Sequence, residues 1–189
     1  MIRILAAFIM ASLFLSCAST EEKKAADPAV SNADSAVAAV SNYFRSSGDS
    51  MIIPSFEIEV VLSKLATEKL ARDKETVIVA AWFAGSPMDT SSKEFKESGE
   101  IFVNTAQVEL AEGRIAKFEQ IKFAKSLYDS LADKDIRVLI NVFSGRRSTQ
   151  DNLLDCSILS EKMSVVKDRK FVLAGKLIAE AVADSSINK

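Results

Sequence analysis

The stretch Ser55-Phe56-Glu57-Ile58-Glu59-Val60-Val61-Leu62, residues 55–62, sets the architecture of this chain. In it, apolar side chains alternate with glutamates. Successive side chains of a β-strand point to opposite faces of a sheet, so this alternation predicts a strand with one face buried and the other in solvent.

Further apolar runs follow, separated by turn residues. Thr76–Phe83 is almost entirely apolar, which predicts a central strand. The other predicted strands are Ile101–Leu110, Arg114–Phe123, Asp135–Phe143, Cys156–Val166 and Phe171–Ile178. About seven strands with turns between them are typical of a β-sandwich. We therefore predict a mainly β fold, an antiparallel β-sandwich of about seven or eight strands.

Local patterns add detail to three of these segments. Ala111-Glu112-Gly113 predicts a short hairpin connection before Arg114–Phe123, and the apolar residues of that strand do not alternate strictly, which indicates a bulge. Ser126–Ala132 is compatible with a turn of helix. In Asp135–Phe143 one face is predicted to carry Ile136, Val138, Ile140 and Val142, and the other Leu139 and Phe143.

The segments that flank the strands differ from them in composition. Asp34–Arg45 predicts a short N-terminal helix that packs on the sheet, because Val37, Val40 and Phe44 share one helical face and Asp34 or Ser35 can cap its amides. The predicted domain therefore spans residues 34–183. Residues 184–189 are rich in serine and polar groups, and we expect a frayed tail there.

The start of the chain has the layout of a secretory signal. Arg3 precedes an uncharged, mostly apolar run that is too short to span a membrane, and Ser16 is a small residue before Cys17. Leu13-Phe14-Leu15-Ser16-Cys17 resembles the lipobox of bacterial lipoproteins. The resemblance implies that Met1–Ser16 is a signal peptide and that Cys17 is lipidated and becomes the first mature residue. Two other interpretations are an ordinary signal peptide cleaved near Ala18 and a buried cysteine in an uncleaved segment.

The lipid on Cys17 would anchor the mature chain to a membrane, since several acyl chains convert marginal binding into stable anchoring. Residues 17–33 have a polar, alanine-rich composition that predicts a flexible tether. By the usual sorting rule, Ala18 after the cysteine favours the outer membrane, with the domain facing the periplasm of a Gram-negative host.

The composition excludes several kinds of active site. The chain contains no histidine, so it can build neither a Ser-His-Asp or Cys-His catalytic group nor a histidine zinc site. No G-x-x-x-x-G-K-[ST] or G-x-G-x-x-G string occurs. The formal net charge is −2, whereas nucleic acid selects for a basic face. We predict no cofactor, no metal, no nucleic acid and no nucleotide.

Two strand ends carry similar strings that suggest a binding surface, Trp82-Phe83-Ala84-Gly85-Ser86-Pro87 and Val142-Phe143-Ser144-Gly145-Arg146-Arg147. Glycine after an aromatic permits a positive φ and a sharp exit from the strand. If both loops lie at one end of the sandwich, Arg146 and Arg147, with Ser144 beside them, could bind a carboxylate or phosphate of a partner. The alternative is a solvated loop with Asp151 as the local counter-ion.

Other candidate residues have simpler interpretations. Asp129, Asp133 and Asp135 surround a turn and are either Ca²⁺ ligands or a polar turn, and Lys134 among them opposes a cation. Trp82 lies in an apolar run and is predicted to belong to the core. Cys156 is either a small buried hydrophobe or a redox thiol, and the adjacent Asp155 would raise its pKa.

These observations favour a non-catalytic, membrane-anchored envelope lipoprotein. We expect its β-sandwich to bind another envelope protein, as a complex subunit, an assembly factor or an inhibitor. A binder of glycan or peptidoglycan is the alternative, although the chain has only one Trp and two Tyr for sugar platforms. An enzyme that uses carboxylates alone is a third possibility.

Overall fold

The computed structural model describes residues 43–111 and 113–187. It is mainly β, with 46% strand and 22% helix, and its antiparallel sheets pack together as in a β-sandwich, which confirms the predicted fold class. The strands are β1 Arg45–Ser47, β2 Ser50–Ile52, β3 Phe56–Leu62, β4 Val77–Gly85, β5 Ile101–Leu110, β6 Ile115–Phe118, β7 Lys122–Ala124, β8 Arg137–Ser144, β9 Leu154–Cys156, β10 Leu159–Lys162 and β11 Lys170–Leu177. The helices are α1 Lys64–Asp73, α2 Lys93–Ser98, α3 Lys125–Asp129, α4 Met163–Val166 and α5 Ile178–Ile187.

Within the described residues, the strands form two four-stranded sheets and one small three-stranded sheet. Sheet I has the order β10-β8-β4-β5, sheet II has the order β6-β3-β11-β9, and the third sheet is β1-β2-β7. All pairs in the described part of the chain are antiparallel except β3 with β11, which run parallel. These two strands are far apart in sequence, so no hairpin turn imposes the antiparallel direction on them.

The core lies between sheets I and II. Phe56, Ile58 and Val60 of β3 point inward and are at most 2% exposed, as their alternation with glutamates predicts. The Phe56 ring stacks on Phe118 at 4.8 Å and meets the edge of Phe83 at 6.3 Å, which joins the two sheets. The faces predicted for Asp135–Phe143 are confirmed, with Val138, Ile140 and Val142 buried and Leu139 40% exposed.

The chain crosses between the two sheets where a hairpin was expected. β5 belongs to sheet I and β6 to sheet II, so Ala111-Glu112-Gly113 does not join paired strands and the predicted hairpin is wrong. Arg114–Phe123 is likewise two strands. Gln120 adopts φ +55°, β6 ends before it, and β7 pairs with β2 instead of β3. The irregular alternation that suggested a bulge therefore marks a change of sheet.

Several helices replace loops or predicted strands. Ser63 caps α1 by accepting from the N–H of Ala66 at 3.0 Å, and the helix buries Ala66 and Leu70 one turn apart, which the sequence analysis missed. Cys156–Val166, predicted as one strand, contains the end of β9, then β10 and α4. α3 confirms the helical turn expected within Ser126–Ala132.

The predicted ends of the domain lie only partly within the described residues. Residues 1–42, with the signal peptide, Cys17, the tether and most of the predicted N-terminal helix, lie outside them. At its described end that helix prediction is wrong, because Tyr43 and Phe44 form a turn and a bend and Arg45 begins β1. α5 continues to Ile187, through most of the segment expected to fray. No helix of the described residues is long and apolar enough to span a membrane.

Candidate partner-binding surface

The two glycine-containing loops predicted to act together lie at opposite ends of sheet I. β4 and β8 are antiparallel, with Val77 opposite Ser144 and Ala84 opposite Arg137. The carboxyl end of each strand is therefore beside the amino end of the other. The loops after Gly85 and Gly145 cannot form one surface, and the prediction of a shared recognition end is wrong.

These loops need glycine because a Cβ at either position would clash with a neighbouring side chain, and not because the backbone requires a positive φ. Neither Gly85 nor Gly145 has a positive φ, and the left-handed conformation after β8 belongs to Arg146, at +59°. A Cβ on Gly145 would lie 1.8 Å from the Thr76 Oγ1, and one on Gly85 would lie 2.8 Å from a methyl carbon of Leu131. Both glycines allow close packing of neighbouring segments.

Ser144 has a structural role that removes it from the candidate binding residues. It is fully buried. Its backbone N–H donates to the Asn152 Oδ1 at 3.0 Å, and its hydroxyl oxygen accepts from the N–H of Leu153 at 2.9 Å. A partner at the surface cannot reach this hydroxyl, so its assignment to a binding site is wrong.

Glu75 holds the segment that carries the two arginines. This carboxylate is only 6% exposed and accepts from the N–H groups of Thr76, Arg147 and Ser148 at 3.0, 3.0 and 2.8 Å, and from the Ser148 hydroxyl at 2.7 Å. Burial raises the pKa of Glu75, but these hydrogen bonds outweigh it and bring the pKa to about 2. The loop is thus fixed from beneath by a buried charge.

Arg147 and Arg146 are both exposed and differ in their contacts. The Arg147 guanidinium makes a forked contact with Glu109, at 2.8–3.0 Å, so Glu109 rather than the expected Asp151 is its counter-ion. Hydrogen bonding to Glu109 raises the pKa of Arg147. Arg146 lies over the Phe143 ring at 5.9 Å and makes no ion pair with any described residue. Of these two arginines, Arg146 is the one whose guanidinium has no carboxylate partner among the described residues.

The three aspartates considered for calcium each have another partner. Asp129 pairs with Lys125 at 2.8 Å, and Asp133 faces Lys162 at 3.4 Å. Asp135 is 5% exposed and accepts from the Tyr43 hydroxyl and from Ser164. Within residues 43–111 and 113–187, no cluster of acidic and cysteine side chains could hold a metal. The polar-turn interpretation describes what these residues do.

Cys156 is half-buried against the backbone of Gly175 in sheet II. Burial, with a smaller contribution from Asp155, raises the pKa of its thiol to about 11. A thiol with this pKa is almost fully protonated at neutral pH and therefore a poor nucleophile. This geometry favours the packing interpretation over the redox one.

The surface that the sequence analysis missed is the outer face of sheet I. Val77, Val79, Ala81 and Phe83 fill the inner face of β4, so Trp82 points outward and is half-buried; its assignment to the core is wrong. Leu139 lies opposite it on β8. Leu139, Phe102 and Ile158 are 40%, 52% and 63% exposed. We call Trp82, Phe102, Leu139 and Ile158 the Trp82 face.

Two depressions flank the Trp82 side chain on this face. One, of about 350 Å³, is lined by Trp82, Leu139, Asn141 and Ile158. The other, of about 570 Å³, lies between sheet I and α2, with Trp82, Ala84 and Phe102 beside Lys93, Glu94, Glu97 and Glu100. Trp82 is therefore a ridge with a mostly apolar hollow on one side and an acid-rimmed hollow on the other.

The outer face of sheet II has a different character. Glu57 and Glu59 of β3 pair across the sheet with Lys117 and Lys170, at 3.1 and 2.7 Å. Exposed apolar residues such as Val172, which is opposite Glu59, stand among these ion pairs. The outer face of sheet II thus mixes cross-strand ion pairs with exposed apolar side chains such as Val61, Ile115 and Val172. On sheet I, the apolar side chains of the Trp82 face instead line two hollows.

One signal for the Trp82 face was present in the sequence. The alternation in Asp135–Phe143 already placed Leu139 on the face opposite the core. Residues 77–84 are all apolar, so their pattern alone does not show which of them point inward.

Comparisons of the chain with protein-family models, with curated proteins and with solved structures give no match.

Proposed function

We propose that this chain is a lipid-anchored envelope protein whose β-sandwich binds another envelope protein through the Trp82 face and catalyses no reaction. The observation that carries the binding proposal is the clustering of the exposed side chains of Phe102, Leu139 and Ile158 around the half-buried Trp82. Apolar patches of this kind on a folded domain are typical of protein-binding sites, and tryptophan is enriched among the residues that dominate binding energy.

The anchoring part of the proposal rests on the sequence. Residues 13–17 resemble a lipobox, and residues 17–33 have the composition of a tether. A lipid on Cys17 would confine the domain to a membrane surface and raise its local concentration near membrane-bound partners. Ala18 is the basis for proposing the outer membrane, facing the periplasm.

Binding of glycan or peptidoglycan is the second candidate, because the half-buried Trp82 and the exposed Phe102 are aromatic side chains on one face. Sugar sites combine an aromatic platform with polar groups that bond hydroxyls. The neighbours of Trp82 on the β8 side are Leu139 and Ile158, with Asn141 as the polar residue of that hollow. This apolar surrounding favours a protein partner over a sugar.

The test is in-cell crosslinking and affinity capture with the tagged full-length chain, compared with three variants. Ile158→Asp places a charge on the Trp82 face. Val172→Asp is the matched control, since Val172 is also an exposed β-branched residue, 58% against 63%, on the other sheet. Cys17→Ala removes the proposed anchor.

We expect one envelope protein to be captured by the native chain and by Val172→Asp, and to be lost with Ile158→Asp. Cys17→Ala should weaken capture and release the chain from the membrane fraction. Equal capture by Ile158→Asp and Val172→Asp would refute the Trp82 face as the binding surface. Co-sedimentation of the native chain with purified cell wall, abolished by Ile158→Asp, would instead support the glycan candidate.

A further inference from the structure

The two hollows beside Trp82 differ in chemistry, and this difference constrains what can dock there. The hollow at Leu139 and Ile158 offers apolar carbon with one amide, Asn141. The hollow at Phe102 has an aromatic wall and a rim of three carboxylates, Glu94, Glu97 and Glu100. One site suits a large apolar side chain, while the other suits a group that is both apolar along its stem and positively charged at its tip.

The carboxylates of the rim are only partly neutralised by the protein itself. Glu94 uses one oxygen to accept from the N–H of Phe102 at 2.9 Å, and Glu100 accepts from the Arg137 guanidinium at 3.1 Å. Lys93 is 3.6 Å from Glu97, but both side chains are mostly in solvent, and such pairs are weak. The rim therefore keeps an excess of negative charge next to an aromatic surface.

We propose that the Trp82 face recognises a segment of a partner protein that presents one large apolar side chain and one Lys or Arg. The apolar side chain enters the hollow at Leu139 and Ile158, and the cation enters the acid-rimmed hollow. This inference rests on the proposed function and specifies the chemistry of the partner at the same surface.

Two attractions act on the cation together. The carboxylates of the rim supply Coulomb attraction, and the faces of Trp82 and Phe102 attract a cation through their π electrons. The apolar stem of Lys or Arg covers the aromatic wall while its head remains at the rim. Because the hollows lie on either side of the β4 strand, the two anchoring groups are roughly 10 Å apart, about two strand spacings.

The test uses a displayed library of random linear peptides, panned on the immobilised mature chain in detergent. Peptides that bind the native chain but not Ile158→Asp are retained, so that selection is restricted to the Trp82 face. One enriched peptide is then titrated against the native chain, Glu97→Lys and Glu68→Lys. Glu68→Lys is the matched control, because Glu68 is an exposed glutamate that pairs weakly with Lys64 on α1.

We expect the retained peptides to combine Lys or Arg with a large apolar residue. Glu97→Lys should weaken binding of the titrated peptide roughly fivefold, whereas Glu68→Lys should leave its affinity unchanged. Added salt should weaken binding of the peptide to the native chain. Retained peptides without a basic residue, or equal binding to both glutamate variants, would overturn the inference while the Trp82 face stands. If no peptide depends on Ile158, the face itself, and with it the binding surface of the proposed function, is refuted.

Discussion

The loop after β8 and the Trp82 face differ in how their side chains are used. In the loop, the buried Glu75 binds three backbone N–H groups, the Ser144 hydroxyl is used within the loop, and Arg147 is paired with Glu109. On the Trp82 face, the side chains of Phe102, Leu139 and Ile158 are exposed, Trp82 is half-buried, and none of the four belongs to the core. The loop stabilises the domain, and the face is available to something outside it.

The comparison teaches that conspicuous charge is a poor guide to a binding surface. Arg146 and Arg147 are prominent in the sequence, yet the Glu109 carboxylate on β5 binds one of them, Arg147. Burial of apolar area supplies most of the energy of association, whereas an exposed ion pair contributes little. Apolar side chains that folding leaves exposed are therefore the stronger indication of a site.

The largest effect is expected at Glu75, below the loop. Glu75→Ala leaves backbone N–H groups of Thr76, Arg147 and Ser148 without their acceptor, so we expect the free energy of unfolding to fall by about 3 kcal/mol. Urea denaturation measures this, with the exposed Glu68→Ala as control. If Glu75→Ala lowered the free energy of unfolding no more than Glu68→Ala, the hydrogen bonds from the loop to Glu75 would not stabilise the domain.

Acid should weaken the same contact. The pKa of Glu75 is about 2 in the fold against 4.5 for the free group. A lowered pKa contributes stability that is present above pH 4.5 and is lost as pH falls toward 2, about 3 kcal/mol in all. Denaturation midpoints of the native chain and Glu75→Gln should therefore converge between pH 5 and pH 2. A constant difference across this range would contradict the structure.

Alanine substitutions of the two arginines in the loop should differ in how much they destabilise the domain. Arg147→Ala removes a forked but exposed contact with Glu109 and should lower the melting temperature slightly. Arg146→Ala removes only a contact with the Phe143 ring and should lower the melting temperature less. Thermal melts of both variants test this order. A larger loss for Arg146→Ala would reverse the roles given to these residues.

The smallest effect on stability is expected on the Trp82 face. Ile158 is 63% exposed, so Ile158→Ser should change the free energy of unfolding by less than about 0.5 kcal/mol. Its urea denaturation curve should overlay that of the native chain, even though the residue is central to the proposed binding. A loss comparable with that of Glu75→Ala would mean that Ile158 is kept for folding rather than for a partner.

Most of the fold could be predicted from the sequence, because alternation reports which side of a strand is buried. β3 and β5 occur within the predicted bounds, and Leu139 is on the predicted face. The sheet crossing after β5 and the parallel pairing of β3 with β11 could not be predicted, since both depend on contacts between residues distant in sequence.

The binding surface was harder to predict than the fold. In the uniformly apolar β4, nothing local distinguishes Trp82 from Phe83, and only the packing of sheet II against sheet I decides which of them is buried. The role of Glu75 was equally hidden, because its donors Arg147 and Ser148 are more than seventy residues away along the chain.

The most direct measurement is the quenching of Trp82 fluorescence by acrylamide, since this is the only tryptophan of the chain. In the isolated mature chain the emission should be readily quenched, as for an indole in partial contact with solvent. In complex with the captured partner, quenching should fall sharply and the emission should shift to shorter wavelength. An isolated chain that resists quenching would place Trp82 in a core, and quenching unchanged by the partner would show that the partner binds elsewhere.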